Sequence, residues 1–103
     1  MKIIKKLCKM IDEELEDACN YVKCAIKYKE DYPSVSKAFY NLSEEEMGHV
    51  GILHSEVTKL IEAHRREHGE PPKEMMAVYD YLHEQQIEKA NQVRLYQDQY
   101  KNY

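Results

Sequence analysis

The run SEEEMGHVGILH, residues 43–54, carries Glu46 and His49 three residues apart, the spacing that puts a carboxylate and an imidazole on one face of a helix. Both fall on a stripe with Phe39, Leu42, Leu53, Val57 and Leu60, where leucines would be expected. An earlier stripe, Leu7, Ile11, Ala18, Tyr21, Ala25 and Tyr28, is interrupted in the same way by Glu14. Its opposite face reads Glu13, Glu16, Asn20, Lys23 and Lys27, so those acids are ordinary solvated residues. Burying an unpaired carboxylate costs several kcal/mol, which a small domain stable by about 5–15 kcal/mol must offset. A metal cation removes that penalty, and a mixed oxygen and nitrogen donor set suits iron or manganese.

Positioning these residues requires long helices. Helical periodicity divides the chain at KEDYPS (29–34) and HGEPP (68–72), predicting helices over about 3–29, 34–68 and 72–100 within a single domain, 1–103. Pro33 biases Tyr32 away from helix, and Ser34 is placed to cap the N-terminus of the second helix. At the second break Gly69 can end the helix, Arg65, Arg66 and His68 put cations in its last turn, and Pro71 and Pro72 prevent continuation. There is no strand alternation, so the expected fold is all-α, three long helices with the first two forming an antiparallel hairpin. Counted from the loop centre, Glu14 lies about 16 positions back and Glu46 and His49 about 15–19 forward, which at 1.5 Å per residue brings all three to one level. The third segment carries Met75, Tyr79, Leu82, Gln86, Ala90, Val93 and Tyr100 at helical spacing and reads as packing or as a dimer arm. Its HEQQIE run, with His83, Glu84 and Glu88, lacks a second Glu-x-x-His, and His83 and Glu84 are expected on a solvated or inter-subunit face.

Four-helix-bundle di-iron and di-manganese sites take a Glu from each of two helices and a Glu-x-x-His from each of two others. One hairpin here supplies half, so a two-fold homodimer is needed to complete the set. Residues 7–60 resemble the first half of a rubrerythrin- or ferritin-like domain, through Glu14, Tyr21, Ala25, Phe39, Leu42, Glu45, Glu46, His49 and Leu53. The resemblance implies half of a ferritin-like four-helix bundle completed by dimerisation, similar to the encapsulated-ferritin type. It further implies Glu14 as the first-helix iron ligand, Glu46 as a bridging carboxylate and His49 as a terminal imidazole, with Tyr21 and Asp17 supporting them. The implied chemistry is that of a ferroxidase or peroxide scavenger. No rubredoxin-like Cys-x-x-Cys pair is present, so turnover would draw on an external electron donor.

Composition narrows the alternatives. A net charge of −4 with Lys and Arg scattered through all three segments offers no concentrated basic face, so nucleic acid is not an expected partner. No apolar run approaches the roughly 20 residues that cross a bilayer, and the start MKIIKKLCKMIDEEL turns acidic early, so a soluble, cytoplasmic protein is expected. Cys8, Cys19 and Cys24 cannot all pair and show no Cys-x-x-Cys spacing, which predicts free, buried thiols. Nine Tyr against one Phe and no Trp suit a half-wet core that leans on a partner chain.

Other roles remain open for the same residues. Ser43-x-x-Glu46 matches a capping box, His49 can serve as a hydrogen-bonded core histidine, and Glu14 can pair with a lysine across a subunit boundary. The competing function is a metal-free helical interaction module in which Glu14, Glu46 and His49 form a buried polar cluster that fixes dimer register. A structural zinc or manganese dimer without catalysis is a third. His64 and His68 share a face as a surface metal clip or as helix-dipole partners. Gly48 and Gly51 form a flat patch that anticipates close approach of another helix, the third segment or a symmetry mate.

Overall fold

Pro33 and Gly69 set the limits of the longest element. In a computed structural model describing residues 1–102, α1 spans Lys2–Lys27, α2 spans Pro33–His68 and α3 spans Lys73–Asn102, with no strand among the described residues. Pro33 occupies the first turn, where its missing N–H would have no partner anyway. Ser34 therefore lies inside the helix and caps nothing, contrary to expectation; Tyr32 is the N-cap residue and makes no side-chain cap bond. Gly69 adopts φ 79°, a left-handed conformation that other residues enter only with strain, and its N–H bonds Arg65 O at 3.0 Å. At 1.5 Å per residue the 36 residues of α2 measure about 54 Å. That is nearly the 56 Å long axis of the molecule, so α2 runs its full length.

α1 buries Cys8, Ile11, Leu15, Ala18, Val22 and Ala25 in alternating steps of three and four. Facing them, α2 buries Ser36, Tyr40, Ser43, Val57 and Ile61, with Met47, Val50 and His54 partly buried along the same line. Small residues face each other at two levels of this interface, Ala18 with Ser43 near its middle and Ala25 with Ser36 near the loop. The Ser36 hydroxyl donates to Ala25 O, and the Ser43 hydroxyl donates to Ala18 O at 2.7 Å. Gln97 of α3 in turn donates from Nε2 to Ser43 Oγ at 3.0 Å, so Ser43 ties all three helices together. The capping-box alternative does not hold, because α2 continues unbroken through Ser43 and that hydroxyl serves α1 instead.

On either side of the Ser43–Ala18 contact lie two apolar clusters, one around Ile11, Leu15, Val57 and Ile61, the other, toward the loop, around Val22, Ala25, Tyr40 and Tyr100. The core lines are displaced from the expected stripes. Glu14 stands with Leu7, Tyr21 and Tyr28 along the partly exposed edge of the α1 line rather than within it. In α2 the buried line runs one residue beyond the stripe of Phe39, Leu42, Glu46, His49 and Leu53. Ser, Ala and His fill positions that a search for leucine passes over, which moves the apparent stripe toward the bulky edge residues.

α3 lies chiefly along α1 and buries Gln86, Val93 and Tyr100 on the stripe its sequence predicts. Gln86 Nε2 donates to Cys8 O and Asp12 Oδ1, both at 3.3 Å, while Tyr100 stacks on Tyr40 with centroids 4.5 Å apart. It makes no close approach at Gly48 or Gly51, where an added methyl would meet nothing within 4 Å, although Gly51 lines a cavity that α3 also borders. All three cysteines are free, Cys8 buried and the other two half-buried. No helix is long and apolar enough to cross a membrane.

Two measurements test this packing. Ser43→Ala removes the hydroxyl that accepts from Gln97 and donates to Ala18 O, and a loss of about 1–3 kcal/mol in urea denaturation is expected. An unchanged midpoint would show that the three-helix junction carries no stability. Burial, then the nearby Asp12 charge, pushes the Cys8 thiol above its ordinary pKa, leaving it less thiolate at pH 8 than an ordinary cysteine. In a mass-spectrometric alkylation time course, Cys19 and Cys24 should label well before Cys8.

Candidate metal centre

The hydrogen bond from Ser43 to Ala18 O sets the register of the hairpin. Glu14 lies four residues before Ala18 and Glu46 three residues after Ser43, so in antiparallel helices their side chains arrive at one level. His49 is one turn further along α2. Its Nδ1 lies 3.5 Å from Glu14 Oε2 and 3.7 Å from Glu46 Oε2. One ligand atom from each of the three residues falls within 4.8 Å of the others. The level predicted by residue counting is thus realised.

Burial differs among the three. The Glu46 side chain is 17 % exposed, Glu14 26 % and His49 54 %. Glu46 Oε2 is fully covered and has no hydrogen-bond partner, since 3.7 Å to His49 exceeds hydrogen-bond length. Two carboxylates directed at one small volume repel each other, and the half-exposed imidazole beside them is their only ionic partner among the described residues. That exposure removes the core-histidine alternative for His49. Two oxygens and one nitrogen of this kind are the donors that iron(II) or manganese(II) accepts, and a cation would satisfy the orphaned oxygen directly.

The remaining sequence candidates are placed less closely. Tyr21 stacks against Phe39 with centroids 6.3 Å apart, while Asp17 is exposed and makes no hydrogen bond or ion pair among the described residues. The His64 and His68 rings lie 5.2 Å apart and tilted by 52°; His68 Nε2 is 3.7 Å from Glu67, while His64 lines an apolar cavity and its buried Nδ1 has no hydrogen-bond partner. Glu84 is exposed as expected. His83 is half-buried rather than free in solvent: its Nε2 meets Nε2 of His54 at 3.0 Å, and its ring stacks on Tyr79. Sequence reasoning passed over His54 altogether, although it stands on the buried line of α2, four residues beyond Val50 and three before Val57.

The cluster opens on the side of the hairpin away from α3. Among the described residues, no hydrogen bond, ion pair or ring contact joins α3 to Glu14, Tyr21, Glu46 or His49. Leu42, at 36 % exposure, lies on the same stripe. No protein-family model, curated protein or solved structure matches this chain.

Proposed function

We propose that this chain is a small ferritin-like protein that holds a di-iron, or di-manganese, centre between two copies of its α1–α2 hairpin and uses it in ferroxidase or peroxide-scavenging chemistry. The observation that carries this reading is the covered, unpartnered Oε2 of Glu46 facing Glu14 and His49. Packing a second hairpin on the uncovered face would bring two such clusters together, giving four carboxylates and two imidazoles. Bound iron would supply the electrons that reduce oxygen or peroxide.

The residues of the chain account for the rest. Glu14 and Glu46 neutralise the charge of the cation, and a carboxylate accommodates two oxidation states by changing how many oxygens it offers. His49 adds a neutral donor, and its exposure leaves a path for a small oxidant. With no Cys-x-x-Cys pair in the chain, a separate reductant would return the centre to its reduced state.

A metal-free polar cluster is the second reading, favoured by the ionic contacts His49 makes to both carboxylates. Anaerobic Fe(II) titration of the metal-stripped protein separates the two. About one iron per chain is expected, with a near-ultraviolet ferric absorption on admission of air. Glu46→Ala and His49→Ala should bind about tenfold more weakly or worse while keeping their helical circular dichroism. Wild-type protein that takes up no iron would end the metal reading and leave the polar cluster.

The dimer is tested separately by Leu42→Glu, which buries a charge if that face is an interface. Sedimentation should find a dimer for wild type and a folded monomer for the variant, with iron uptake lost alongside. A variant that remains dimeric would place the interface elsewhere.

A further inference from the structure

α2 and α3 bring two imidazoles together on the side of the hairpin opposite the carboxylate cluster. His54 Nε2 and His83 Nε2 are 3.0 Å apart, with ring centroids at 4.9 Å and planes within 16°. Tyr79, one turn before His83, stacks on that ring at 5.7 Å and 10°, which fixes its orientation. The pair borders a cavity of about 240 Å³ that Met47, Gln86, Asn91 and Arg94 also line. α1 contributes only the apolar Ile11 and Leu15 to this cavity.

The geometry points to a second metal site, in which His54 and His83 together bind a divalent late transition metal of the zinc class. Two imidazole nitrogens about 2.0–2.1 Å from a tetrahedral ion lie roughly 3.3 Å apart. The observed 3.0 Å needs an opening of a few tenths of an ångström, within reach of small side-chain rotations. Without metal the same two nitrogens share one hydrogen, one ring donating N–H and the other accepting, so the site is held together while empty. Burial, then the neighbouring His83, lowers the pKa of His54, which keeps its lone pair available at neutral pH. The cavity leaves room for the waters that complete a coordination shell, and the cationic Arg94 on its wall limits affinity rather than geometry. Imidazole without carboxylate selects zinc, copper or nickel over iron or manganese, so the two faces of α2 would hold different classes of metal.

This inference is independent of the iron reading, and its test is run where the carboxylate cluster is disabled. Metal-stripped Glu46→Ala protein, full length, is titrated with Co(II) as a spectroscopic stand-in for zinc and then with Zn(II) by calorimetry. One ion per chain is expected, with visible cobalt bands typical of low-coordinate nitrogen ligation, and zinc should raise the thermal midpoint by clamping α3 to α2. His54→Gln or His83→Gln in that background should abolish the bands and the midpoint shift. Proton NMR of the imidazole resonances in otherwise unaltered protein gives a readout without substitution, and zinc should move His54 and His83 together. Absence of zinc uptake in Glu46→Ala, or uptake unchanged by His54→Gln, would overturn the site.

Discussion

The contact of α1 and α2 through Ala18, Ala25, Ser36 and Ser43 is the constraint on which the rest depends. Each of the two serine hydroxyls donates to a carbonyl of the facing helix, Ser36 to Ala25 and Ser43 to Ala18. A hydrogen bond of this kind is worth only about 0.5–1.5 kcal/mol, yet its effect on register is larger than its strength suggests. Sliding one helix along the other would leave two buried hydroxyls unpaired and push bulkier neighbours into a gap sized for alanine and serine. Holding Ser43 opposite Ala18 also holds Glu46 level with Glu14, so the chemistry-bearing residues are aligned by groups that carry no chemistry themselves.

Alignment creates a conflict that a packed monomer leaves standing. A covered carboxylate oxygen without a hydrogen-bond partner costs on the order of 1–3 kcal/mol, a large fraction of what keeps 103 residues folded. α3 could have relieved it by covering that side of the hairpin with donors, but its contacts run to Cys8, Asp12, Tyr40, Ser43 and His54 instead. The face with the unresolved charge is therefore also the face without a third helix, which is where the proposed cation and second chain would sit.

Much of this was legible in the sequence, because it depends on local rules. Pro33, Gly69 and the two proline-bearing breaks delimit the helices, and a residue count across a short loop places Glu14 beside Glu46 and His49. The phase of the buried line was not legible. In α1 the Leu7, Glu14, Tyr21 and Tyr28 positions repeat every seven residues, as does the buried Cys8, Leu15 and Val22 line one step over, and bulky side chains make the edge look like the centre. Ser36 and Ser43 lie in the core only because a facing carbonyl waits for each hydroxyl, which is information held by the other helix. The meeting of His54 and His83, 29 residues apart, depends on where α3 docks, and no spacing rule within one helix contains it.

The position of α2 explains why its histidines part company. His49 and His54 are five residues apart, which turns them about 140° from each other around the helix axis. One reaches toward α1 and the open face, the other toward α3. α3 leans mainly on α1, and its specific contacts with α2 include an aromatic stack and the Lys101 ammonium at Tyr40, a hydrogen bond at Ser43 and the imidazole pair at His54. Directional contacts of this kind fix orientation more than they add hydrophobic stability, so the placement of α3 against α2 is set by geometry while its attachment rests on α1. Among these contacts, the imidazole pair can change its protonation or ligation without breaking the backbone packing around it. A change at His54 and His83 would therefore be felt first as a shift in how firmly α3 is held to α2, with the hairpin and its carboxylates left in register by Ser36 and Ser43.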